Sequence, residues 1–142
     1  MFVKQLTVFL ENKVGSLQEI TDILRENNIN VFSISLADTS EYGLLRMIVS
    51  NPELGREQLC NAGISARLTD VIAVRLENRV GTLAELFNVI AGADIGIEYM
   101  YAMATSKTGA MILKTNNQEK TIAALQAARI HILDENTMYH LQ

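Results

Sequence analysis

The sequence is poor in residues that mark several common protein classes. It has a single cysteine, Cys60, so we expect neither an intramolecular disulfide nor a cysteine-based zinc site. Twelve Lys and Arg residues are scattered among sixteen Asp and Glu, and the net charge is −4. Nucleic-acid binding requires clustered basic residues that neutralise phosphates. We therefore expect no nucleic-acid partner.

Long apolar runs are also missing. No stretch approaches the roughly 20 apolar residues of a membrane-spanning helix. The first residues, MFVKQLTVFL, enter strand-like sequence without the pattern of a secretory signal. What is present is 49% apolar and 20% charged residues, the balance of an ordinary globular protein. These features predict a cytoplasmic protein with no membrane partner.

An internal repeat organises the 142 residues. FLENKVGSLQEI, at residues 9–20, returns as RLENRVGTLAEL, at residues 75–86, and the shift between them also aligns TSEYG with TSKTG further along each copy. Units of about 65 to 70 residues are too long for solenoid repeats and long enough for small domains that are marginal alone. The sequence therefore predicts two domains, at residues 1–69 and 70–142.

Apolar spacing in the first unit predicts strands and helices in alternation. Leu6, Val8 and Leu10 alternate with polar neighbours as in a strand, and helical periodicity begins after Gly15. A hairpin, a helix capped by Asn51 and a short strand follow. The order is βαββαβ, the split βαβ arrangement of a ferredoxin-like sandwich. The second unit repeats it in segments at residues 71–76, 82–93, 95–104, 110–115, 118–128 and 130–133.

Two further local predictions concern helix starts and the last residues. SLQE and TLAE, at the first helix of each unit, are typical of a capping box, in which a hydroxyl and a carboxylate satisfy free backbone amides. This predicts Ser16 and Thr82 as helix caps. NTMYHL, at residues 136–141, falls where a third unit would begin its first strand. We predict that it adds a C-terminal strand covering an open sheet edge.

A βαββαβ unit whose first turn reads E-N-K/R-V-G-S/T-L resembles the ACT domain, the amino-acid-sensing module attached to many enzymes of amino-acid metabolism. The usual turn has Pro before the Gly, and Val14 and Val80 stand at that position here. The resemblance covers the whole chain. It implies an α+β fold of two tandem ferredoxin-like units, with antiparallel sheets joined side by side and helices on one face.

The resemblance also implies a free amino acid as ligand and no cofactor. In ACT domains the turn Asn and an Asn at the start of the second strand bind the effector, and units pair so that each turn faces the other unit's second strand. Gly96 does not match the second Asn. The turn Asn78, Arg79, Val80, Gly81, Thr82 and Leu83 is expected to face Asn30, Val31 and Phe32, and the turn Asn12, Lys13, Val14, Gly15, Ser16 and Leu17 to face Gly96, Ile97 and Glu98.

The chemistry of the turn favours the same interpretation independently. A glycine turn that leads into a helix exposes backbone amides at a partial positive charge, which suits an α-carboxylate. A simple tight turn explains the same residues and stays open. We also predict unequal sites, because one has two Asn and the other has Gly96 and Glu98. Glu98 is either a partner for an ammonium or a solvated strand residue.

Other reactive residues do not recur in a catalytic or metal-binding pattern. His131 and His140 lack metal-ligand neighbours that repeat in both units, so no metal is expected. Cys60 is predicted to be a small buried apolar residue of the second helix. Neither a phosphate-binding glycine loop nor a Ser, His and Asp set is found. We therefore predict that the protein is not an enzyme.

Together these features predict a non-catalytic sensor or regulatory protein that holds an amino acid at the interface of its units. It would form a homo-oligomer and regulate an enzyme of amino-acid metabolism. Two alternatives stay open. One is a ligand-free dimerisation module, and the other is a small acylphosphatase-like enzyme, whose Arg-bearing phosphate cradle the turn lacks.

Overall fold

The computed structural model describes residues 1–11, 13–38, 42–104 and 108–140. Asn12, to which we assigned ligand binding, lies outside these residues. The secondary structure runs in the order β1 (Val3–Glu11), α1 (Ser16–Glu26), β2 (Val31–Asp38), β3 (Tyr42–Val49), α2 (Pro52–Asn61), β4 (Ala66–Leu76), α3 (Thr82–Gly92), β5 (Ile97–Ala104), β6 (Gly109–Thr115), α4 (Gln118–Ala127), β7 (Ile132–Leu133) and α5 (Glu135–His140).

The chain forms two compact units, each with the order βαββαβ. The first comprises Lys4–Thr69, and the second comprises Asp70–Gln142 together with Met1–Val3. The α+β fold with a repeated ferredoxin-like unit is thus confirmed. The boundary falls within β4, which has neither Gly nor Pro to interrupt it, so the two predicted strands are one continuous element. No helix in the described part of the chain is long and apolar enough to cross a membrane.

The first unit is an antiparallel sheet covered by α1 and α2. β3 pairs with β1 on one side and with β2 on the other. The start of β4 lies beside β1, where the Phe9 N–H donates to the Ser65 carbonyl at 3.0 Å. Alternate residues of β1 and β3 therefore meet the apolar faces of both helices. The resulting core contains Leu6, Val8, Leu10, Ile20, Leu24, Ile29, Leu45, Met47, Val49 and Leu59.

The second unit repeats this packing with α3 and α4. β4 pairs antiparallel with β6 and with the short β7, and β6 pairs with β5. Its core contains Ile72, Val74, Leu86, Ile90, Ile95, Met111, Leu113 and Leu125. Leu59 and Leu125 are fully buried at corresponding positions of α2 and α4, so the repeat seen in the sequence is also a repeat of the core.

The predicted cap of the second helix is confirmed and recurs in the second unit. The Asn51 side-chain oxygen accepts from the Leu54 N–H at 3.2 Å, with Pro52 at the first helical position. Asn117 accepts from the Lys120 N–H at 3.1 Å at the start of α4. These caps place the ends of β3 and β6 beside the helices that cover them.

The predicted C-terminal strand is wrong, because residues Glu135–His140 form the short helix α5. Asp134 begins it: its carboxylate accepts from the Thr137 N–H at 2.7 Å, and its carbonyl accepts from the Met138 N–H. The hydrogen bonds from Thr137 lower the pKa of Asp134. Met138 is buried. The Asp cap before E-N-T was the sequence signal that favoured a helix.

The prediction for Cys60 is also wrong, because this residue is exposed. The buried residues of α2 are Pro52, Gly55 and Leu59, which share one face at helical spacing. Cys60 follows Leu59 by one residue, about 100° around the helix, and so leaves that face. Its thiol lies 3.4 Å from the Ala66 carbonyl.

Candidate functional site

The turns that precede α1 and α3 place a glycine at the start of each helix. Gly15 and Gly81 are the N-cap residues, with φ of 93° and 94°. This left-handed conformation strains any residue with a Cβ, which explains why both copies have glycine. No described side chain caps the first amides of either helix. The amides therefore stay available to an anion, at the positive end of the helix dipole.

The predicted capping boxes are wrong. Since Gly15 and Gly81 are the caps, Ser16 and Thr82 are already the first helical residues. Their hydroxyls donate backwards, from Ser16 to the Glu11 carbonyl at 3.0 Å and from Thr82 to the Arg79 carbonyl at 3.1 Å. The hydroxyls thus close the turn instead of occupying the helix amides.

One cavity of the first unit borders the first turn of α1. It measures about 420 Å³, within the size range of small-molecule sites. We call it the amide cavity. Val14 and Leu17 give it exposed apolar side chains. Its lining consists of Leu10, Glu11, Lys13, Val14, Gly15, Ser16, Leu17, Gln18, Leu36, Ala37 and Gly43.

A second cavity of the first unit shares Leu10, Glu11, Lys13 and Ser16 with the amide cavity. It measures about 490 Å³, and we call it the carboxylate cavity because Glu11 and Glu19 line it. The Lys13 ammonium lies 3.2 Å from the Glu11 carboxylate. The remaining lining residues are Phe9, Ile20, Tyr42, Ala62, Gly63, Ile64 and Ser65.

The corresponding cavity of the second unit is smaller, at about 220 Å³. Arg79 bridges two of its acidic residues: Nε lies 3.0 Å from Glu77, and the terminal nitrogens lie 2.9 and 3.2 Å from the two oxygens of Glu85. Arg129 and His131 line it where the first unit has the smaller Gly63 and Ser65. The larger side chains account for the reduced volume.

The bridge shifts the pKa values of Arg79 and Glu85. The hydrogen bonds that Arg79 donates to Glu85 and then to Glu77 raise the pKa of Arg79, and the same hydrogen bond to Glu85 and the charge of Arg79 lower the pKa of Glu85. Both groups are exposed, where ion pairs add little to stability. The bridge therefore mainly fixes the position of the guanidinium.

Removing the guanidinium should shift the titration of Glu85. We expect Arg79→Met to raise the pKa of Glu85 towards the ordinary value of about 4.3. In the parent protein, the pKa of Glu85 is lower in the folded state than in the unfolded state. The bridge therefore stabilises the folded state at pH values above the ordinary pKa of Glu85, and this stabilisation is lost as the pH falls through the lowered, folded-state pKa. Carboxyl NMR titration measures the shift. Lys13→Met, the matched control, should leave the pKa of Glu85 unchanged. If the pKa of Glu85 is also unchanged in Arg79→Met, the bridge does not form.

In each unit, the residue before the second strand donates its backbone N–H to a side chain that follows the third strand. The Asn30 N–H donates to the Ser50 hydroxyl at 2.9 Å, and the corresponding Gly96 N–H donates to the Asn116 side-chain oxygen at 3.1 Å. A Cβ on Gly96 would lie 3.2 Å from the Asn116 amide nitrogen. Asn116 therefore supplies the amide group beside Gly96. Sequence reasoning missed it, although the repeat aligns Asn116 with Ser50.

The other strand residues assigned to the site have partners within their own units. Val31 and Ile97 pack against the two cores, and Phe32 is half-buried. The Lys114 ammonium lies 3.3 Å from Glu98. Glu98 thus has a cationic partner already. Binding by these residues stays a prediction.

Clusters of three or more His, Cys, Asp or Glu suited to a metal do not occur within the described ranges.

Two βαββαβ units that each begin a helix with an uncapped glycine turn define a tandem ferredoxin-like protein with anion-accessible turns. The model of the ACT domain pair matches residues 1–142, and the chain belongs to that family.

Three solved structures are similar to this chain. Protein BT0572 from Bacteroides thetaiotaomicron is 32% identical, with 98% of this chain and 96% of that chain covered and a TM-score of 0.92. The ligand-free regulatory subunit of aspartate kinase from Thermus thermophilus is 19% identical, with 88% and 91% covered and a TM-score of 0.62. The subunit from Thermus flavus is 20% identical over the same shares, with a TM-score of 0.57. The two latter likenesses show the fold alone. No curated protein matches the chain.

Proposed function

We propose that this protein is a non-catalytic regulatory protein that binds a free amino acid at the turn between β1 and α1. The observation that carries the proposal is the uncapped start of α1 at Gly15, which borders a cavity of about 420 Å³. A carboxylate is the natural partner of free amides at a helix N-terminus. Membership of the ACT family gives this geometry a regulatory context.

The lining of the amide cavity favours an amino acid with an apolar side chain. Its α-carboxylate would accept from the amides of Ser16 and Leu17. Its side chain would lie on the exposed apolar surfaces of Leu17 and Leu36. Glu11 lines the same cavity and holds the Lys13 ammonium 3.2 Å from its Oε2, so its other oxygen would accept from the α-ammonium. The three groups of a zwitterionic, apolar amino acid thus each have a partner of suitable chemistry.

The regulated partner would be another protein of amino-acid metabolism. The aspartate kinase regulatory subunits that share the fold are consistent with such a partner. Regulation requires that the amino acid bind one state of the protein more tightly than another. A homo-oligomeric state and a cytoplasmic location stay predictions from the sequence.

A thermal-shift screen of the twenty amino acids tests the proposal. A ligand that binds only the native state raises the melting temperature as its concentration exceeds the dissociation constant. We expect an apolar amino acid to raise it and its α-amide, which lacks the carboxylate, to raise it far less. If none of the twenty raises it, the ligand-free interaction module is favoured. If the α-amide raises the melting temperature equally, the amides of α1 do not bind the α-carboxylate.

A further inference from the structure

The carboxylate cavity of the first unit keeps the acidic positions that hold Arg79 in the second unit. The repeat aligns Glu11 with Glu77 and Glu19 with Glu85. Both acidic residues line the cavity in each unit. In the second unit, a guanidinium lies between them and contacts both oxygens of Glu85. The second unit therefore shows how this arrangement holds a guanidinium.

The first unit lacks an internal guanidinium at that place. Lys13 aligns with Arg79, and its ammonium pairs with Glu11 at 3.2 Å. Among the described residues, no ion pair or hydrogen bond engages the side chain of Glu19. An ammonium is a point charge and cannot match a carboxylate with two parallel hydrogen bonds as a guanidinium does. Glu19 thus borders the 490 Å³ cavity without the partner that its counterpart has.

Two aromatic rings add a second feature that suits a cation. Phe9 and Tyr42 line the carboxylate cavity with ring centroids 5.7 Å apart, whereas Arg75 and Thr108 align with them in the second unit. The Arg67 guanidinium already lies 5.3 Å from the Phe9 ring centroid. Aromatic faces attract guanidinium groups, and arginine is the commoner partner in proteins. The Phe9 ring thus already contacts one guanidinium of the chain itself.

The cavity of the first unit also has more room for a ligand than the cavity of the second unit. Gly63 and Ser65 line the first cavity where Arg129 and His131 line the second. A Cβ placed on Gly63 meets no atom within 4 Å. The cavity of the first unit is about 490 Å³ against about 220 Å³, and it has an excess of carboxylates over ammonium groups. Open volume and a net negative lining favour an external cation.

We propose that the carboxylate cavity binds a small molecule bearing a guanidinium group, which contacts Glu19 as Arg79 contacts Glu85. This site adjoins the amide cavity and shares four lining residues with it, but Glu19 lines the carboxylate cavity alone, and the contact needs neither an α-carboxylate nor a helix amide. The second unit would not bind the same molecule, because Arg79 occupies the equivalent position. The first unit alone would then carry both the amino-acid site and the guanidinium site.

Calorimetric titration of the full chain tests this site with three probes. L-arginine and agmatine both carry a guanidinium, and agmatine lacks the α-carboxylate. L-citrulline has the same shape as arginine with a neutral urea group. We expect arginine and agmatine to bind and citrulline to bind at least about tenfold more weakly, since it loses a charge-assisted pair with Glu19. Equal binding of citrulline and arginine, or no binding of agmatine, overturns the proposal.

Three variants locate the binding. Glu19→Gln should weaken agmatine binding by about tenfold, and Lys13→Arg should do the same by supplying an internal guanidinium as Arg79 does. Glu26→Gln, the control, makes the same charge change at the other end of α1 and should bind agmatine as the parent does. Equal losses in Glu19→Gln and Glu26→Gln overturn the proposal. If agmatine does not bind, an apolar amino acid can still bind the amide cavity and raise the melting temperature. The two proposals can therefore fail separately.

Discussion

Replacing Leu59 by alanine is expected to lower the free energy of unfolding by about 2–5 kcal/mol, the cost of a buried Leu→Ala change that leaves a cavity. Leu59 is fully buried and belongs to the same core as Leu6 and Leu24, so α2 loses its central contact with the sheet and with α1. Units of this size bury a smaller fraction of their surface than larger domains do, and such a loss is a large part of their stability. Urea unfolding measures the change.

Two comparisons make this result specific. Glu57→Ala changes an exposed residue of the same helix and should alter the free energy of unfolding by less than about 0.5 kcal/mol. Leu125→Ala, at the corresponding buried position of α4, should cost about as much as Leu59→Ala. If Leu59→Ala costs no more than Glu57→Ala, α2 does not pack on the sheet through Leu59.

Replacing Gly15 by alanine should weaken both the turn and the amino-acid site. An L-residue in the left-handed conformation costs about 1–2 kcal/mol, and Gly15 has φ of 93°. A Cβ there meets no atom within 4 Å, so the whole effect comes from the backbone. The turn would relax and move the first amides of α1 away from the amide cavity. We expect at least about tenfold weaker binding of the amino acid that the screen identifies.

Gly81→Ala is the matched control, because Gly81 has φ of 94° and equally open surroundings. Both variants should lose similar stability, but only Gly15→Ala should lose affinity for the amino acid of the first unit. Calorimetric titration of the two variants measures this. Equal losses of affinity would mean that the ligand does not depend on the turn of the first unit in particular.

The order of the elements was predictable because local patterns determine it. Alternating apolar residues gave β1, helical spacing gave α1, and Asn51 with Pro52 marked the start of α2. These signals lie within a few residues of each other and need no tertiary information. The duplication repeated each of them. The fold of each unit could therefore be predicted from sequence.

The errors lie where two local signals compete. S-x-x-E predicts Ser16 as a cap, but the preceding Gly15 adopts the left-handed conformation and takes that position itself. NTMYHL continues the repeat, but Asp134 starts a helix before it. The spacing of apolar residues does not tell which of two competing signals determines the structure. Backbone conformation at one glycine or one cap decided each case.

Side-chain partners of the candidate site were not predictable. Lys13 and Arg79 look equivalent in the repeat, yet only the guanidinium bridges two carboxylates. Asn116 supplies an amide beside Gly96 from a neighbouring strand, 20 residues away in sequence. Such pairs depend on side-chain length and strand register, which residue spacing does not encode.

Amino-acid binding at the turn before α1 is tested most sharply by an amide NMR titration of the full chain with the amino acid that raises the melting temperature most. We expect the backbone amide signals of Ser16, Leu17 and Gln18 to shift strongly and in a saturable way, because these amides would donate to the α-carboxylate. The corresponding α-amide, without a carboxylate, should shift them little. Saturable binding that leaves these three amides unchanged would contradict the claim that the turn before α1 is the amino-acid site.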